Sequence, residues 1–264
     1  MTIFFSIASH LDHDIIINLG VIKTLNAFDE INVVCRDNIP NSKLRMYCEK
    51  FGAHYIANSH EQGFAANNNA NFLFCKERLG MQEQDYFILL NPDVDIIAEQ
   101  VTNLITALAN KKVELAACNL YLDREEIVPD DNVRLYPKFN SFVKTYLLND
   151  RSTMVHRGES FEISENHWIN GSFMIVLASV YQSLLGLDEQ FYLYCEDIDF
   201  CYRAKIQGYK LTYLENVKAV HFKQRDSRQF LSKYFFWHVK SAFIYSFKSK
   251  SIRAKKSQLG THTQ

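Results

Sequence analysis

The sequence predicts an α/β protein with a Rossmann-like, doubly wound and mostly parallel sheet, extended at its C-terminus by an amphipathic helix. Short apolar runs of strand length alternate with segments of helical spacing through the first 122 residues. A chain of 264 residues suits one large domain with an appendage, and the presence of only 4 Pro and 9 Gly argues against long linkers.

The predicted elements follow one another in βα order. Strands are expected at 2–8, 31–35, 53–57, 85–90 and 113–122, and helices at 14–27, 41–52, 63–80 and 98–110. Two of these helices end at Gly52 and Gly80, where glycine suits a C-cap. Residues 123–165 are polar and weakly periodic, as in an inserted loop, before strands return at 168–177, 210–214 and 217–222. We expect one domain over 1–225, in two halves that meet near residue 120, and a tail over 226–264.

The net charge of −1 conceals a strong asymmetry. From Lys218 to the end the chain has eleven Lys and Arg against one acid, Asp226, a balance of +10 that leaves −11 for the preceding residues. A basic tail on an acidic body indicates an anionic partner, which could be lipid headgroups, a diphosphate or nucleic acid.

The cysteines and the apolar runs indicate a cytoplasmic protein. The six cysteines form no Cys-x-x-Cys pair and lack histidines at metal-ligand spacing, so we expect reduced thiols. The first residues lack the basic region of a signal peptide, and no apolar stretch reaches the roughly 20 residues that span a bilayer.

The first candidate site follows the fourth strand, which Pro92 ends just before Asp93 and Asp95. Open α/β sheets bind ligands at the carboxyl ends of their strands, so both carboxylates are expected in a cleft. Such a pair suits Mg²⁺ or Mn²⁺ beside a diphosphate. A solvated loop with an N-cap for the next helix explains the same residues equally well.

The second candidate site is the acidic cluster Glu196, Asp197 and Asp199, which lies among aromatic residues where unpartnered carboxylates are costly to bury. On a helix, Glu196 and Asp199 share a face, so part of the cluster can cap the helix N-terminus. Asp199 can also pair with Arg203 four residues later. Asp197 points elsewhere and is left to face the cleft as a general base.

Short motifs follow in a fixed order: Asn-Pro-Asp at 91–93, Gly-Ser-Phe at 171–173, Gly-Leu-Asp-Glu at 186–189, Tyr-x-Glu-Asp-x-Asp at 194–199, Gly-Tyr at 208–209 and then His221. This set, spread over residues 2–222, resembles glycosyltransferase family 2 with its GT-A fold. It is most similar to the bacterial rhamnosyltransferases that build O-antigen and related surface polysaccharides, including lipopolysaccharide. The aromatic tail resembles the tails of such enzymes that act on lipid-linked acceptors.

The resemblance implies roles for matching residues. The implied donor-binding residues are Ser9, His10, Asp37, Gly63, Asn69, Asn91 and Asp93. The implied metal ligands are Asp93, Asp95 and His221, and Asp197 matches the catalytic base. The candidate acceptor contacts are Trp168, Tyr192, Glu196 and Arg203, although ordinary packing explains Trp168 at least as well. Asn91 departs from the first Asp of the usual Asp-x-Asp, and neutral Asn is a poorer cation ligand.

The resemblance further implies an inverting transfer of L-rhamnose from dTDP-L-rhamnose to a GlcNAc-diphospho-polyprenol or a related lipid-linked glycan. Residues 1–120 then bind the nucleotide sugar, and residues 121–225 carry catalysis and the acceptor. The tail is predicted as one long helix over 228–250, with Leu231, Phe235, Val239 and Phe243 opposite Lys233, Lys240 and Lys248. That pattern suits the cytoplasmic face of the inner membrane, and packing on the domain or on a second subunit of a homodimer is the alternative.

Other functions stay open on the sequence. These are a family 2 enzyme for UDP-sugars, a non-catalytic subunit that binds nucleotide sugar or glycan, a metal-dependent phosphohydrolase and a nucleic-acid binder. The presence of both Asp93 and Asp197 argues against a non-catalytic subunit. A phosphohydrolase usually needs a denser ligand set, and an acidic cleft disfavours nucleic acid.

Overall fold

The computed structural model describes residues 1–138, 140–141, 152–155, 161–223, 233–247 and 251–261. Its strands are β1 (Ile3–Ser9), β2 (Ile31–Asp37), β3 (His54–Ala57), β4 (Tyr86–Leu90), β5 (Val94–Asp95), β6 (Leu115–Tyr121), β7 (Val133–Leu135), β8 (His167–Ile169), β9 (Phe173–Leu177) and β10 (Leu211–His221). Its helices are α1 (His13–Leu19), α2 (Val21–Leu25), α3 (Ser42–Lys50), α4 (Phe64–Arg78), α5 (Ala98–Asn110), α6 (Ala178–Ser183), α7 (Glu196–Ile206), α8 (Lys233–Phe247) and α9 (Gln258–Thr261).

Eight strands form one sheet in the order β3-β2-β1-β4-β9-β6-β10-β5, and β7 pairs with β8 in a small antiparallel ribbon. The neighbours β1, β2, β3 and β4 run parallel, as the alternation of elements predicts. Strand β9 is antiparallel to both β4 and β6, and β5 is antiparallel to β10. The predicted mostly parallel sheet is therefore confirmed. The sheet interleaves the two predicted halves, because β9 lies between strands of the first half.

Three predicted elements differ in detail from the structure. The helix expected at 14–27 is broken into α1 and α2 by Gly20, whose φ of 73° lies in the left-handed region. The strand expected at 168–177 is two strands, β8 and β9. Conversely, the strands expected at 210–214 and 217–222 form the single strand β10, with a bulge between Leu214 and Lys218. The long β10 matters for the site because it carries His221 to the end of β5.

Helix α4 contains four buried asparagines, although Asn is a mediocre helix former. Asn68 Oδ1 accepts a hydrogen bond from Ser6 Oγ at 2.6 Å, and Asn71 Nδ2 donates to the same hydroxyl at 2.9 Å. Asn71 Oδ1 also accepts from Arg36 Nε at 2.8 Å. The amides thus tie α4 to β1 and β2, and such a satisfied buried network orients a helix on its sheet.

The tail returns to the domain in two places. One face of α8 packs on residues 192–194, where Ser241 Oγ donates to the Leu193 carbonyl at 2.8 Å. Farther on, Ala254 N donates to the Leu184 carbonyl at 3.0 Å, and Leu259 is fully buried. The predicted helix is confirmed over 233–247, whereas its remainder, including Leu231 and Lys248, lies outside the described residues. No helix in the described parts of the chain is long and apolar enough to cross a bilayer.

Candidate active site

A cleft of about 230 Å³ opens at the carboxyl ends of β1, β2 and β4. Its lining includes His10 after β1, Asn38 after β2, and Asn91 and Asp93 after β4. The loop that enters α4, residues Tyr192–Tyr194, and two side chains of α8 complete the walls. The cleft therefore lies where ligands of open α/β sheets bind.

Asp93 and His221 meet at the edge of this cleft. The pairing of β5 with the end of β10 brings His221 Nε2 to 3.3 Å from Asp93 Oδ1. On its other side, His221 Nδ1 lies 2.7 Å from Oδ2 of Asp130, whose side chain is fully buried and also pairs with Lys223. Asp130 orients the imidazole so that Nε2 points towards Asp93, and no motif in the sequence had indicated this residue.

His221 and the carboxylates of Asp93 and Asp130 stabilise one another's charged forms. Burial of the imidazole would lower its pKa, but the hydrogen bonds to Asp130 and Asp93 outweigh burial and raise the pKa of His221 to about 9. Burial would likewise raise the pKa of Asp130, yet His221 and Lys223 bring it down to about 2. Asp130 is therefore ionised at neutral pH and holds a histidine that strongly favours a proton or another cation.

These residues fit the divalent cation that the fold class implies. One carboxylate, Asp93, and one imidazole, His221, with a buried carboxylate behind it, would supply two ligands to Mg²⁺ or Mn²⁺, and substrate phosphate oxygens and water would supply the others. No group of three or more His, Cys, Asp or Glu in the described residues is arranged to hold a metal on its own. Asp95, the third predicted ligand, instead forms an ion pair with Arg124 at 2.8 Å.

The second acidic cluster begins helix α7 after a strained turn. Tyr194 and Cys195 both have φ near 70° (70° and 66°), a region that costs non-glycine residues of order 1–3 kcal/mol each. Asp197, in the first turn of α7, accepts hydrogen bonds from the N–H of Ile198 at 2.8 Å and of Gly171 at 3.2 Å. Asp197 is half-buried and follows the cleft-lining stretch Tyr192–Tyr194 by three residues, but it is not itself among the residues that line the cleft.

The surroundings of Glu196 and Asp197 act differently on the pKa values of the two carboxyl groups. Burial raises the pKa of Asp197, while the N–H groups of Ile198 and Gly171 and the charge of Arg134 oppose that rise. Burial, and then the charge of Asp197, raises the pKa of Glu196 well above its usual range. Oε2 of Glu196 is buried with no hydrogen-bond partner among the described residues. These surroundings favour the neutral form of Glu196, whereas the two N–H donors and Arg134 favour the ionised form of Asp197.

The expected acceptor contacts divide into one that lines the cleft and three that are buried. Tyr192 lines the cleft. Arg203 is 1% exposed, and its guanidinium binds Asp199 at 2.7 Å and the carbonyls of Leu184 and Gly186. Trp168 is also buried and donates its Nε1–H to the Leu135 carbonyl at 3.0 Å. Arg203 and Trp168 form their hydrogen bonds within the protein, and Glu196 is buried as well. The structure therefore does not support direct acceptor contacts for these three side chains.

Two residues that were predicted to contact the donor have structural roles. Asn69 is fully buried; its Nδ2 donates to the Leu187 carbonyl at 2.8 Å and its Oδ1 accepts from the Tyr181 hydroxyl at 2.7 Å. Gly63 lines the cleft, but a Cβ there would lie 2.2 Å from the Tyr192 carbonyl oxygen, so glycine is required by the chain itself. Asn69 therefore does not reach the donor cleft, and the close approach at Gly63 is to protein backbone.

The residues expected to bind the nucleoside lie around the same end of the sheet. Asp37 is buried, and its Oδ2 accepts from Asn41 N at 3.1 Å and the Tyr55 hydroxyl at 3.0 Å. The Ser9 hydroxyl is buried with no partner among the described residues, whereas His10 lines the cleft. The roles of Ser9, His10 and Asp37 towards a nucleoside stay predictions.

Several cleft residues were missed although some lie beside predicted ones: Asn38 follows Asp37, and Asn67 lies between Gly63 and Asn69. Asn38, Gln62 and Asn67 line the cleft and are linked by hydrogen bonds of 3.0–3.2 Å. Asp12 lines it too, and burial raises its pKa to about 6, while Oδ2 accepts from His10 N at 2.6 Å. Asparagine and glutamine after adjacent strands are the available signal, but turns use the same residues.

The fold is the GT-A fold of glycosyltransferases. Among solved structures of that type, S. aureus TarS in complex with UDP-GlcNAc matches with a TM-score of 0.58 and 12% identity, over 90% of this chain and 64% of that one. GalNAc-T7 with UDP, GalNAc and Mn²⁺ matches with a TM-score of 0.61 and 13% identity, over 92% of this chain and 48% of that one. At such identity these matches show the fold alone.

The chain belongs to glycosyltransferase family 2, among its rhamnosyltransferases. It is 31% identical over 245 residues to the rhamnosyltransferase WbbL of Escherichia coli K12, and the match covers 92% of both proteins. It is also 28% identical over 95 residues to the N-acetylglucosaminyl-diphospho-decaprenol L-rhamnosyltransferase of Mycobacterium tuberculosis, which is 35% of this chain and 31% of that protein. No family model matches the chain.

Proposed function

We propose that this glycosyltransferase transfers L-rhamnose, with inversion, from dTDP-L-rhamnose to a GlcNAc-diphospho-polyprenol or a related lipid-linked glycan of O-antigen-type surface polysaccharide. The observation that carries the proposal is the pairing of Asp93 with His221 at the cleft, and Asp197 follows the wall residues Tyr192–Tyr194 in the chain. The similarity to a rhamnosyltransferase over 92% of the chain supports rhamnose over other sugars.

Asp197 accepts the proton of the acceptor hydroxyl as the oxygen attacks the anomeric carbon. Burial makes its carboxylate more basic than that of an exposed Asp, while the two N–H groups that it accepts from fix its direction. Burial and the charge of Asp197 favour the neutral form of Glu196, so a second negative charge next to the base is disfavoured. On the opposite side of the reacting centre, His221 and Asp93 face the departing diphosphate.

Asp93 and His221 would hold the divalent cation, with Asp130 behind the histidine. When bound, such a cation neutralises charge on the leaving diphosphate. Asn91 lines the cleft next to Asp93 and offers a neutral amide to the same phosphates. Asp95 stays a candidate only if its ion pair with Arg124 opens.

The assignment is tested by incubating the protein with dTDP-L-rhamnose and a synthetic GlcNAc-diphospho-lipid, with Mg²⁺ or with EDTA, and analysing products by mass. The expected product carries one added rhamnose and forms with Mg²⁺. UDP-sugars serve as the competing donors, and donor hydrolysis without acceptor would instead favour a phosphohydrolase. Binding of donor without any transfer would favour a non-catalytic subunit.

We further propose that the outer face of α8 binds the anionic cytoplasmic surface of the inner membrane. Four apolar side chains form an exposed stripe there, at 46–61% exposure: Phe236, Val239, Phe243 and Phe247. Lys233 and Lys240 are exposed on the same helix, and the tail as a whole is basic. An apolar stripe beside lysines suits an interface of anionic lipid. The stripe differs from the predicted one because Phe235 is only half-exposed and Phe236 takes its place.

The double variant Phe236→Ser/Phe243→Ser is expected to bind phosphatidylglycerol vesicles roughly tenfold more weakly, or more weakly still, in a flotation assay. The reason is that two aromatic side chains no longer transfer from water into the lipid interface on binding. Added salt should weaken wild-type binding. Met46→Ser is the matched control, since Met46 is 67% exposed on α3, away from the stripe. Unchanged vesicle binding, together with loss of a dimer in light scattering, would assign the stripe to a second copy of the chain.

A further inference from the structure

The inner face of α8 forms one wall of the cleft. Tyr234 and Trp237 both line it, as does Tyr192. The rings of Tyr192 and Trp237 lie with centroids 4.6 Å apart, and those of Tyr234 and Trp237 lie 5.5 Å apart at 84°. These three side chains, here called the aromatic wall, make a continuous apolar surface beside the Asn91–Asp93 loop.

The aromatic wall is held firmly and is tied to the catalytic turn. Ser241, 3% exposed, donates to the Leu193 carbonyl, and His238 packs on Tyr194 with centroids 4.8 Å apart. Leu193 and Tyr194 belong to the strained turn that leads into Asp197. Seating of α8 therefore supports both the wall and the position of the base.

The chemistry of the cleft assigns its two sides to different ligands. Amides of Asn38, Gln62 and Asn67 line the side at β2 and suit the polar edges of a nucleotide. The aromatic wall includes Tyr192, which begins the stretch of chain that leads to Asp197, the proposed base for the attacking hydroxyl, and aromatic rings pack on the C–H face of a pyranose. Lys233 Nζ lies 5.3 Å from the Tyr234 ring centroid and 5.5 Å from that of Trp237, so a cation stands next to the wall.

We propose that the aromatic wall and Lys233 form the acceptor subsite, in which the sugar ring of a sugar-diphospho-lipid stacks on Trp237 and Tyr234 and its diphosphate approaches Lys233. The tail helix then does two things: its inner face receives the acceptor sugar, and its outer stripe lies on the surface from which that acceptor comes. This subsite rests on the proposed function, because it assumes a lipid-linked sugar as acceptor.

Two experiments on the same variants test the subsite. The chain has 2 tryptophans, and Trp168 is buried, so in Trp168→Phe all of the tryptophan fluorescence comes from Trp237. Adding a short-chain GlcNAc-diphospho-lipid should change that emission saturably, whereas the emission of Trp237→Phe should not respond.

In turnover, Trp237→Ala should raise the acceptor KM roughly tenfold and leave the dTDP-rhamnose KM unchanged, with Trp237→Phe between it and wild type. Trp168→Phe is the matched control, with an acceptor KM like wild type.

The outcomes separate this subsite from the proposed function. A wild-type protein that transfers no rhamnose would overturn the donor or acceptor assignment, and the emission titration would still decide whether the glycan meets Trp237. An emission change with dTDP alone and none with the glycan lipid would overturn the subsite and place the nucleotide on the wall. An equal rise of both KM values in Trp237→Ala would also overturn it, since the wall would then only support the fold.

Discussion

Replacing Asp197 by Asn is expected to lower kcat for rhamnosyl transfer by roughly 10²- to 10⁴-fold, the usual contribution of a positioned general base. Asn keeps the shape of the side chain and can still accept the Gly171 N–H, so donor binding should change little. The measurement is kcat with saturating dTDP-L-rhamnose and the glycan lipid, beside donor affinity from calorimetry. A variant that loses donor affinity and kcat together would contradict the role of Asp197 as a base.

Glu196→Gln is the matched control for this substitution. Because burial and the charge of Asp197 raise the pKa of Glu196 well above its usual range, Gln resembles the neutral acid that these surroundings favour. We expect its kcat to stay close to that of wild type. The pH profile adds a second test. As the pH is lowered, kcat should begin to fall at a pH above 3.8, the ordinary pKa of an Asp, because the pKa of Asp197 is raised. If Glu196→Gln abolished turnover while Asp197→Asn retained it, the two roles would have to be exchanged.

Replacing Asp130 by Asn is expected to weaken Mn²⁺ binding by roughly 10- to 100-fold, as losses of a carboxylate behind a metal-binding histidine do. Asn offers His221 Nδ1 an acceptor without a charge, so the imidazole becomes a poorer ligand. The same loss should bring the pKa of His221 down from about 9, because the hydrogen bond to Asp130 is the largest contribution that raises it. Electron paramagnetic resonance with dTDP present measures the first effect, and the NMR titration of His221 in metal-free protein measures the second.

Asp131→Asn is the control for Asp130. Asp131 is the next acid along the chain, and its carboxylate lies 3.8 Å from Lys223 Nζ, whereas that of Asp130 contacts both Lys223 and His221. The control should therefore keep the Mn²⁺ affinity and the His221 pKa. Equal Mn²⁺ affinities in the two variants would mean that Asp130 serves the fold and does not position the histidine.

The position of part of the site could be predicted from strand ends and part only from the family resemblance. Asp93 follows β4, so the sequence itself placed it at the carboxyl edge of the sheet, whereas the role of His221, the last residue of β10, was implied only by the resemblance. The separation of Asp197 from Asp199 followed from helical spacing, and Asp199 does pair with Arg203. The approach of His221 Nε2 to within 3.3 Å of Asp93 Oδ1 depends on a two-residue strand, β5, that no sequence pattern predicts.

Three predicted contacts that the structure places in the interior share one feature. Asn69, Trp168 and Arg203 have the residue types of binding sites, and each is buried and bonded to main-chain groups. A side chain with many donors suits a ligand or an internal carbonyl equally well. Only the packing of distant segments, such as residues 184–187 against α4 and α7, decides between the two.

The sequence by itself determined the alternation of elements, the mostly parallel sheet, the cleft at its carboxyl edge and the basic character of the tail. Apolar periodicity and strand ends are local properties, so they can be read without knowing which segments meet. The tertiary structure alone decided that β9 enters the sheet antiparallel, that Asp130 stands behind His221, and that α8 turns Trp237 into the cleft and Phe243 outward. These features depend on contacts between residues tens to hundreds of positions apart, whose free energies come from packing that no local pattern records.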